Sequence, residues 1–276
     1  MGVSYPAAMS TLVCFHAHPD DEAITTAGLM SRAVAAGHRV VLVTATAGEC
    51  GEPQAGVLEP GEDLGSRRQV ELAEAARVLG AEPPRLLGYR DSGMMGEPSN
   101  DDPACFWQAD VEEAARRLAD ILVEVGADVL TVYDEHGAYG HPDHIQVHRV
   151  GHRAAELAGT PHVYEATSSR ERSREAWQLA ARDLGDEGVR DDTAVDDVQT
   201  FGIPHDDLSY AVDVRDQLAA KRAAMAAHRS QISEQSFFLG LRDETFAAVF
   251  GTEWFAVRGR TATGGPEPVA LLPGLD

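Results

Sequence analysis

Of the 276 residues only one is lysine, Lys221, and only three are cysteine. A single lysine leaves almost no candidate for Schiff-base chemistry. Cys14, Cys50 and Cys105 lie far apart and form no C-x-x-C pair, so neither a disulfide framework nor a thiolate zinc site is indicated. That usage fits a reducing cytoplasm. No apolar run approaches about 18 residues, and residues 1–10 carry no basic stretch leading into an apolar core, so neither a membrane span nor secretion is predicted. Positive charge is scarce too: 23 Lys and Arg stand against 45 Asp and Glu, a formal net charge of -22. Phosphate backbones need basic surface for counterion release, so nucleic acid is not an expected partner. No G-x-G-x-x-G follows the first apolar run, which removes the dinucleotide-binding fingerprint.

Hydrophobic residues make up 43% and charged residues 25%, the balance of a chain that folds around a core. Short apolar runs alternate with helical patterns. Leu12 to Phe15 reads as a strand, Asp21 to Ala36 as a helix stopped by Gly37, and Arg39 to Thr46 as a β-branched strand. The alternation repeats with a helix over 64–79 ending at Gly80 and a strand over 85–89. A helix over 110–125 ending at Gly126 and a strand over 128–133 follow. Such alternation predicts an α/β fold, a mostly parallel sheet with helices on both faces. Loops at 47–63, 90–109 and 134–142 would then gather at the carboxyl ends of the strands, where open parallel sheets bind ligands. Beyond Thr167 a helix is predicted over 168–185, an acidic loop over 186–197, a helix over 215–227 and a strand over 254–257. Residues 1–260 are read as one domain and 261–276 as a flexible tail rich in Gly and Pro.

Two turns carry the chemistry. His18-Pro19-Asp20-Asp21-Glu22 leaves the first strand and opens a helix. Proline fixes the turn and neighbouring carboxylates point different ways, so one aspartate can meet a metal while the next faces water. The same aspartates also suit plain capping of a helix start. Tyr139-Gly140-His141-Pro142-Asp143-His144 repeats the arrangement after a later strand, with Asp143 placed to cap its helix. Two such turns at parallel strand ends would bring imidazoles and carboxylates into one crevice, a donor set suited to catalytic zinc.

With Thr46 to Glu52, Arg90-Asp91-Ser92-Gly93-Met94 and, more weakly, His228-Arg229-Ser230-Gln231, these stretches resemble the PIG-L/LmbE family of zinc-dependent N-deacetylases in family order over about residues 11–260. The resemblance implies a Rossmann-like fold with the site at the carboxyl ends of the strands. It implies His18, Asp21 and His144 as ligands of one Zn2+, a role ferrous iron also tolerates. It implies Asp20 as the general base, His141 as donor to the oxyanion or to the leaving amine with Asp143 orienting it, and Tyr139 as a second donor. Glu49, Arg68, Asp91 and Gln231 fall where relatives grip the substrate, with Arg67 an alternative to Arg68. The expected partner is a small amino-sugar or amide substrate, and a homo-oligomer is compatible with the sequence.

The implied reaction is removal of an N-acyl, chiefly N-acetyl, group from an amino sugar. Two other readings stand beside it: an amidase acting on a mycothiol-type thiol conjugate, and a metal- or sugar-binding module without catalysis. Loops 47–63, 90–109 and 168–213 would choose among substrates. Among the remaining histidines, His148 and His152 read as ordinary surface or packed residues of the helix, and His16 as facing the opposite side of the sheet from His18. His136 is a candidate pocket-lining residue, and His228 suits a helix-end cation as well as the family motif.

Overall fold

Leu12, Val13, Cys14 and Phe15 are fully buried and alternate between two apolar clusters. That is the two-residue period of a strand covered on both faces. In the computed structural model, which describes residues 9–190, 201–260 and 264–276, they form β1 (Thr11–His16) of an eight-stranded sheet. The other strands are β2 (Arg39–Thr46), β3 (Arg85–Tyr89), β4 (Val129–Tyr133), β5 (His162–Thr167), β6 (Tyr210–Asp213), β7 (Thr252–Ala256) and β8 (Glu267–Val269). Their order is β3-β2-β1-β4-β5-β7-β6-β8, parallel from β3 through β5, with β7 antiparallel to both β5 and β6 and β8 parallel to β6.

Helices cover both faces, as expected. On one lie α1 (Asp21–Thr25), α2 (Ala27–Ala35), α3 (Leu64–Leu79) and α8 (Leu218–Ala227), with Leu29, Met30, Leu72, Leu79 and Met225 in the core. On the other, α4 (Val111–Val125) packs on α6 (Pro142–Ala158) through Leu118, Leu122, Val147 and Val150. Short α5 (Gly137–Gly140) precedes α6, and α7 (Arg170–Arg190) and α9 (Asp243–Phe250) complete the set. Local chemistry sets the ends of α3 and α4. Asp63 and Asp110 accept from the amides of Ser66 (2.8 Å) and Glu113 (2.9 Å), and Gly80 and Gly126 close each helix at positive φ.

Three expectations are corrected. The helix over 21–36 is two helices, because Thr26 leaves helical geometry (φ -129°) and its hydroxyl bonds His16 Nε2 at 2.9 Å. The carboxylate of Glu253 then caps α2, accepting from the amides of Gly28 and Leu29 at 2.8 Å each, and also takes Nζ of the buried Lys221 at 2.6 Å. The helix expected over 168–185 continues to Arg190 past a kink at Gly185 (φ 77°), so it takes in the start of the predicted acidic loop; residues 191–197 of that loop lie outside the described residues. Residues 264–276 of the supposed tail are built into the fold: β8 extends the sheet, Leu272 and Leu275 are buried, and Tyr164 Oη donates to the Pro273 carbonyl at 2.8 Å.

From β1 the chain builds β2 and β3 to one side, then returns to place β4 and β5 on the other. The crevice beyond the carboxyl ends of β1 and β4 is therefore the point where strand order reverses, the usual ligand position of an open α/β sheet. Both His-Pro-Asp turns open onto it.

Candidate active site

Asp20 occupies the N-cap position of α1, yet its side chain makes no capping bond and its backbone has φ 108°. A non-glycine residue pays about 1–3 kcal/mol for such a conformation, which persists only where surroundings enforce it. Here Glu22 Oε2 accepts the Asp20 amide at 3.0 Å, and the other oxygen of Glu22 lies 2.6 Å from Nε2 of His228, both side chains wholly buried. Arg68 grips the same turn from α3, donating to the Pro19 carbonyl (2.6 Å), the Gly48 carbonyl (2.7 Å) and Asp20 Oδ2 (3.1 Å). The capping reading of this turn thus fails for Asp20, whose carboxylate is left to the crevice.

Beside it, Asp21 accepts from the His18 amide at 2.8 Å and spans two imidazoles, with Oδ2 3.6 Å from His18 Nδ1 and Oδ1 3.4 Å from His144 Nε2. His18 turns its other nitrogen, Nε2, to Asp143 at 3.2 Å and Asp91 at 3.4 Å. Ligating atoms of His18, His141 and His144 lie within 4.8 Å of one another. The expected His18, Asp21 and His144 are therefore brought together, and His141 joins them.

This donor set fits a divalent cation. Imidazole and carboxylate are its usual protein ligands, and a carboxylate on the far nitrogen, as Asp143 and Asp91 provide for His18, is how a ligating histidine is oriented. Buried carboxylates also need compensating charge. Burial alone would lower the His18 pKa, but Asp91, Asp143 and Asp21 hold it well above its ordinary value. Burial would raise Asp21, but His144 and His18 hold it well below the usual carboxylate range. Burial raises Asp20 to about 6 against the opposing pull of Arg68.

Around α5 and α6 the structure revises the expected roles. The N-cap of α6 is His141, not Asp143: His141 Nδ1 accepts the Asp143 amide at 3.1 Å. An accepting Nδ1 leaves the ring proton on Nε2. Burial, then His18 and His144, lower the His141 pKa to about 2, so the ring is neutral. The Asp143 carboxylate does not orient His141. It accepts the Ser92 amide at 3.0 Å and the Ser92 hydroxyl, and faces His18. Tyr139, on α5, has its hydroxyl 3.4 Å from His144 Nε2. Asp134 Oδ1 pins that turn through the amides of His136 (2.9 Å) and Ala138 (3.0 Å). Gly137 (φ 62°) is required there, since a Cβ would stand 2.6 Å from His144 Cβ.

The four expected substrate contacts separate. Asp91 is buried inside the cluster, bonded to the amides of Gly93 (2.9 Å) and Cys50 (3.1 Å). Arg68 is likewise buried and committed to the Asp20 turn, while Arg67 pairs with Glu62 at 2.7 Å. Glu49 accepts the Asp91 amide at 3.2 Å. Gln231 Oε1 would be 2.6 Å from a Cβ at Gly51, so Glu49 and Gln231 stand at the loop 47–63 side of the crevice. His136 is exposed beside Glu135.

Sequence reasoning missed a supporting layer. His16, expected to face away from His18, instead backs the cluster, since residues two apart on a strand share a face: its Nδ1 lies 2.6 Å from Tyr133 Oη, and burial lowers its pKa to about 4. Tyr133 in turn stacks on His144 with centroids 4.4 Å apart. Ser230 ties the segment after α8 to Glu71 of α3 (2.6 Å). Position at the ends of β1 and β4 was the one signal for His16 and Tyr133.

Comparison with known proteins agrees with this geometry. The PIG-L family, described as GlcNAc-PI de-N-acetylase, matches residues 13–155. The chain is 43% identical to a 1D-myo-inositol 2-acetamido-2-deoxy-alpha-D-glucopyranoside deacetylase of Thermomonospora curvata, over 95% of this chain and 96% of that one. To a protein of the same name from Geodermatophilus obscurus it is 39% identical, over 96% and 97%. The N,N'-diacetylchitobiose deacetylase of Pyrococcus horikoshii shares the fold, with a TM-score of 0.52 at 22% identity over 82% of this chain and 72% of that one. With both His-Pro-Asp turns inside the matched stretch and such relatives along nearly its whole length, this chain belongs to the PIG-L family of de-N-acetylases.

Proposed function

We propose that this chain hydrolyses the acetamide of a glucosaminyl-inositol, the substrate for which its relatives are named, with zinc held by His18, Asp21 and His144. The observation that carries the reading is Asp21 set between two imidazoles at 3.4 and 3.6 Å, with the uncapped carboxylate of Asp20 beside it. The relatives' names favour an acetylated amino sugar over a thiol conjugate. A bound divalent ion would polarise the amide carbonyl and acidify a neighbouring water.

The protein's own groups complete the reaction. Asp20, with a pKa raised by burial to about 6, accepts a proton from the attacking water near neutral pH. Arg68 fixes one of its oxygens and leaves the other for that proton. As the carbonyl carbon becomes tetrahedral, negative charge gathers on its oxygen, and His141 Nε2–H and the Tyr139 hydroxyl, both beside His144, would be its donors. Asp20 then returns its proton to the departing nitrogen, and the proton left on the new carboxyl group passes to the amine, so acetate and an ammonium form from one water with no net proton left on the protein. Glu49 and Gln231, at the loop 47–63 side of the crevice, would meet sugar hydroxyls.

Zinc content and acetate release from N-acetylglucosaminyl-inositol test the reading together. Asp20→Asn should keep its metal and lose at least about 10³-fold in kcat. Parental turnover in Asp20→Asn, or zinc retention undiminished in His144→Ala, would sink it.

A further inference from the structure

One turn beyond His144, α6 carries a second pair of imidazoles. His148 and His152 are four residues apart, which places them on one helix face, and their rings meet edge to face with centroids 4.6 Å apart. Facing them from β5 is the buried Glu165, whose Oε1 lies 2.8 Å from His152 Nε2 and 3.5 Å from His148 Nδ1. His148 Nδ1 is also 3.0 Å from the Tyr133 carbonyl. A carbonyl can only accept, so Nδ1 carries the proton and the ring's lone pair is on Nε2. One nitrogen of each ring, Nδ1 or Nε2, and one oxygen of Glu165 lie within 4.8 Å of one another.

We propose that His148, His152 and Glu165 form a second site for a divalent transition-metal ion such as zinc. Two imidazoles and one glutamate are a recurrent zinc set, and the Tyr133 carbonyl on the far nitrogen of His148 is the outer contact that orients a ligating ring. The side chains of His148 and His152 border a cavity of about 470 Å³ open to solvent, which gives an ion its way in and room for water as further ligands. Basic groups share that cavity. Arg153 is neutralised by Glu112 (2.7 Å) and Glu156 (3.0 Å), and Arg149 lies over the Trp107 ring. Arg258, which also lines the cavity, adds positive charge, so this site binds more weakly than the His18 cluster. On this proposal the two histidines, packed against Tyr133 and Glu165, gain a ligand role as well, and the assignment stands whatever reaction the first cluster performs.

Metal-stripped protein is titrated with Zn2+ by equilibrium dialysis and bound metal counted, with circular dichroism confirming the fold. Two equivalents are expected for the parent, the weaker lost in His152→Ala and in Glu165→Gln, and one weak equivalent persisting in His144→Ala. His152→Gln, which keeps a hydrogen bond to Glu165 while removing a ligand, should also lose the weaker equivalent. Equal metal counts for the parent and the folded variants at positions 152 and 165 would overturn the proposal.

Discussion

Removing the imidazole of His228 tests whether the Asp20 turn is held from behind. His228 and Glu22 are both wholly buried at 2.6 Å, and burial would lower the His228 pKa were it not raised by Glu22. His228→Ala strands the carboxylate in the interior, a change that costs about 3–5 kcal/mol. At about 2–4 °C per kcal/mol for a chain of this size, the melting temperature should drop by about 6–20 °C. The stranded Glu22 must find a proton or a new partner, so its bond to the Asp20 amide is disturbed and kcat should fall about tenfold or more. Glu22→Gln added to His228→Ala removes the charge but keeps an acceptor for that amide, and should recover much of both losses. Calorimetry and acetate release on the four proteins of the cycle measure this. A melting temperature within about 2 °C of the parent for His228→Ala, or a double variant no better than the single, refutes the reasoning. A raised folded pKa makes the contribution of His228 fully present below the ordinary imidazole value and lost as pH rises through the raised one, so the stability gap between parent and variant should narrow in alkali.

Three further changes probe the layers around the cluster. Arg68→Met removes the bond to Asp20 and both carbonyl anchors, and kcat should fall about 10–100-fold with metal content unchanged, read by steady-state kinetics and metal analysis. Ser92→Ala deletes the hydroxyl that holds Asp143 behind His18, and metal affinity measured by chelator competition should weaken about 10–100-fold. Gly137→Ala forces a Cβ against His144 at φ 62°, so it should lower both stability and turnover, while Gly159→Ala, where a Cβ meets nothing within 4 Å, should leave turnover as it was.

The parts legible in the sequence were those whose cause is local. Asp63, Gly80, Asp110 and Gly126 start and stop α3 and α4 by bonds within a few residues, and each His-Pro-Asp turn follows a run of buried strand residues. What the sequence did not show depends on distant partners. The Asp143 carboxylate is claimed by Ser92, 51 residues away, while the capping position nearest in sequence went to an imidazole. Glu22 and His228 are 206 residues apart, and His16 and Tyr133 are 117 apart. The break at Thr26 needed knowledge of where His16 points. Short β6 and β8 lack the length for a clear alternating pattern, and they form by pairing with each other and, for β6, with β7.

The stretch from Glu267 to Asp276 has a consequence for any shortened version of this protein. β8 is the outermost strand, beside β6, and Leu272 and Leu275 fill the interior next to Tyr164. A premature stop after Arg260 would leave every crevice residue encoded, yet it would bare a row of unpaired amides along β6 and vacate two apolar sockets. Such a fragment should be recovered from cells as aggregate, undone far from the residues that do its chemistry.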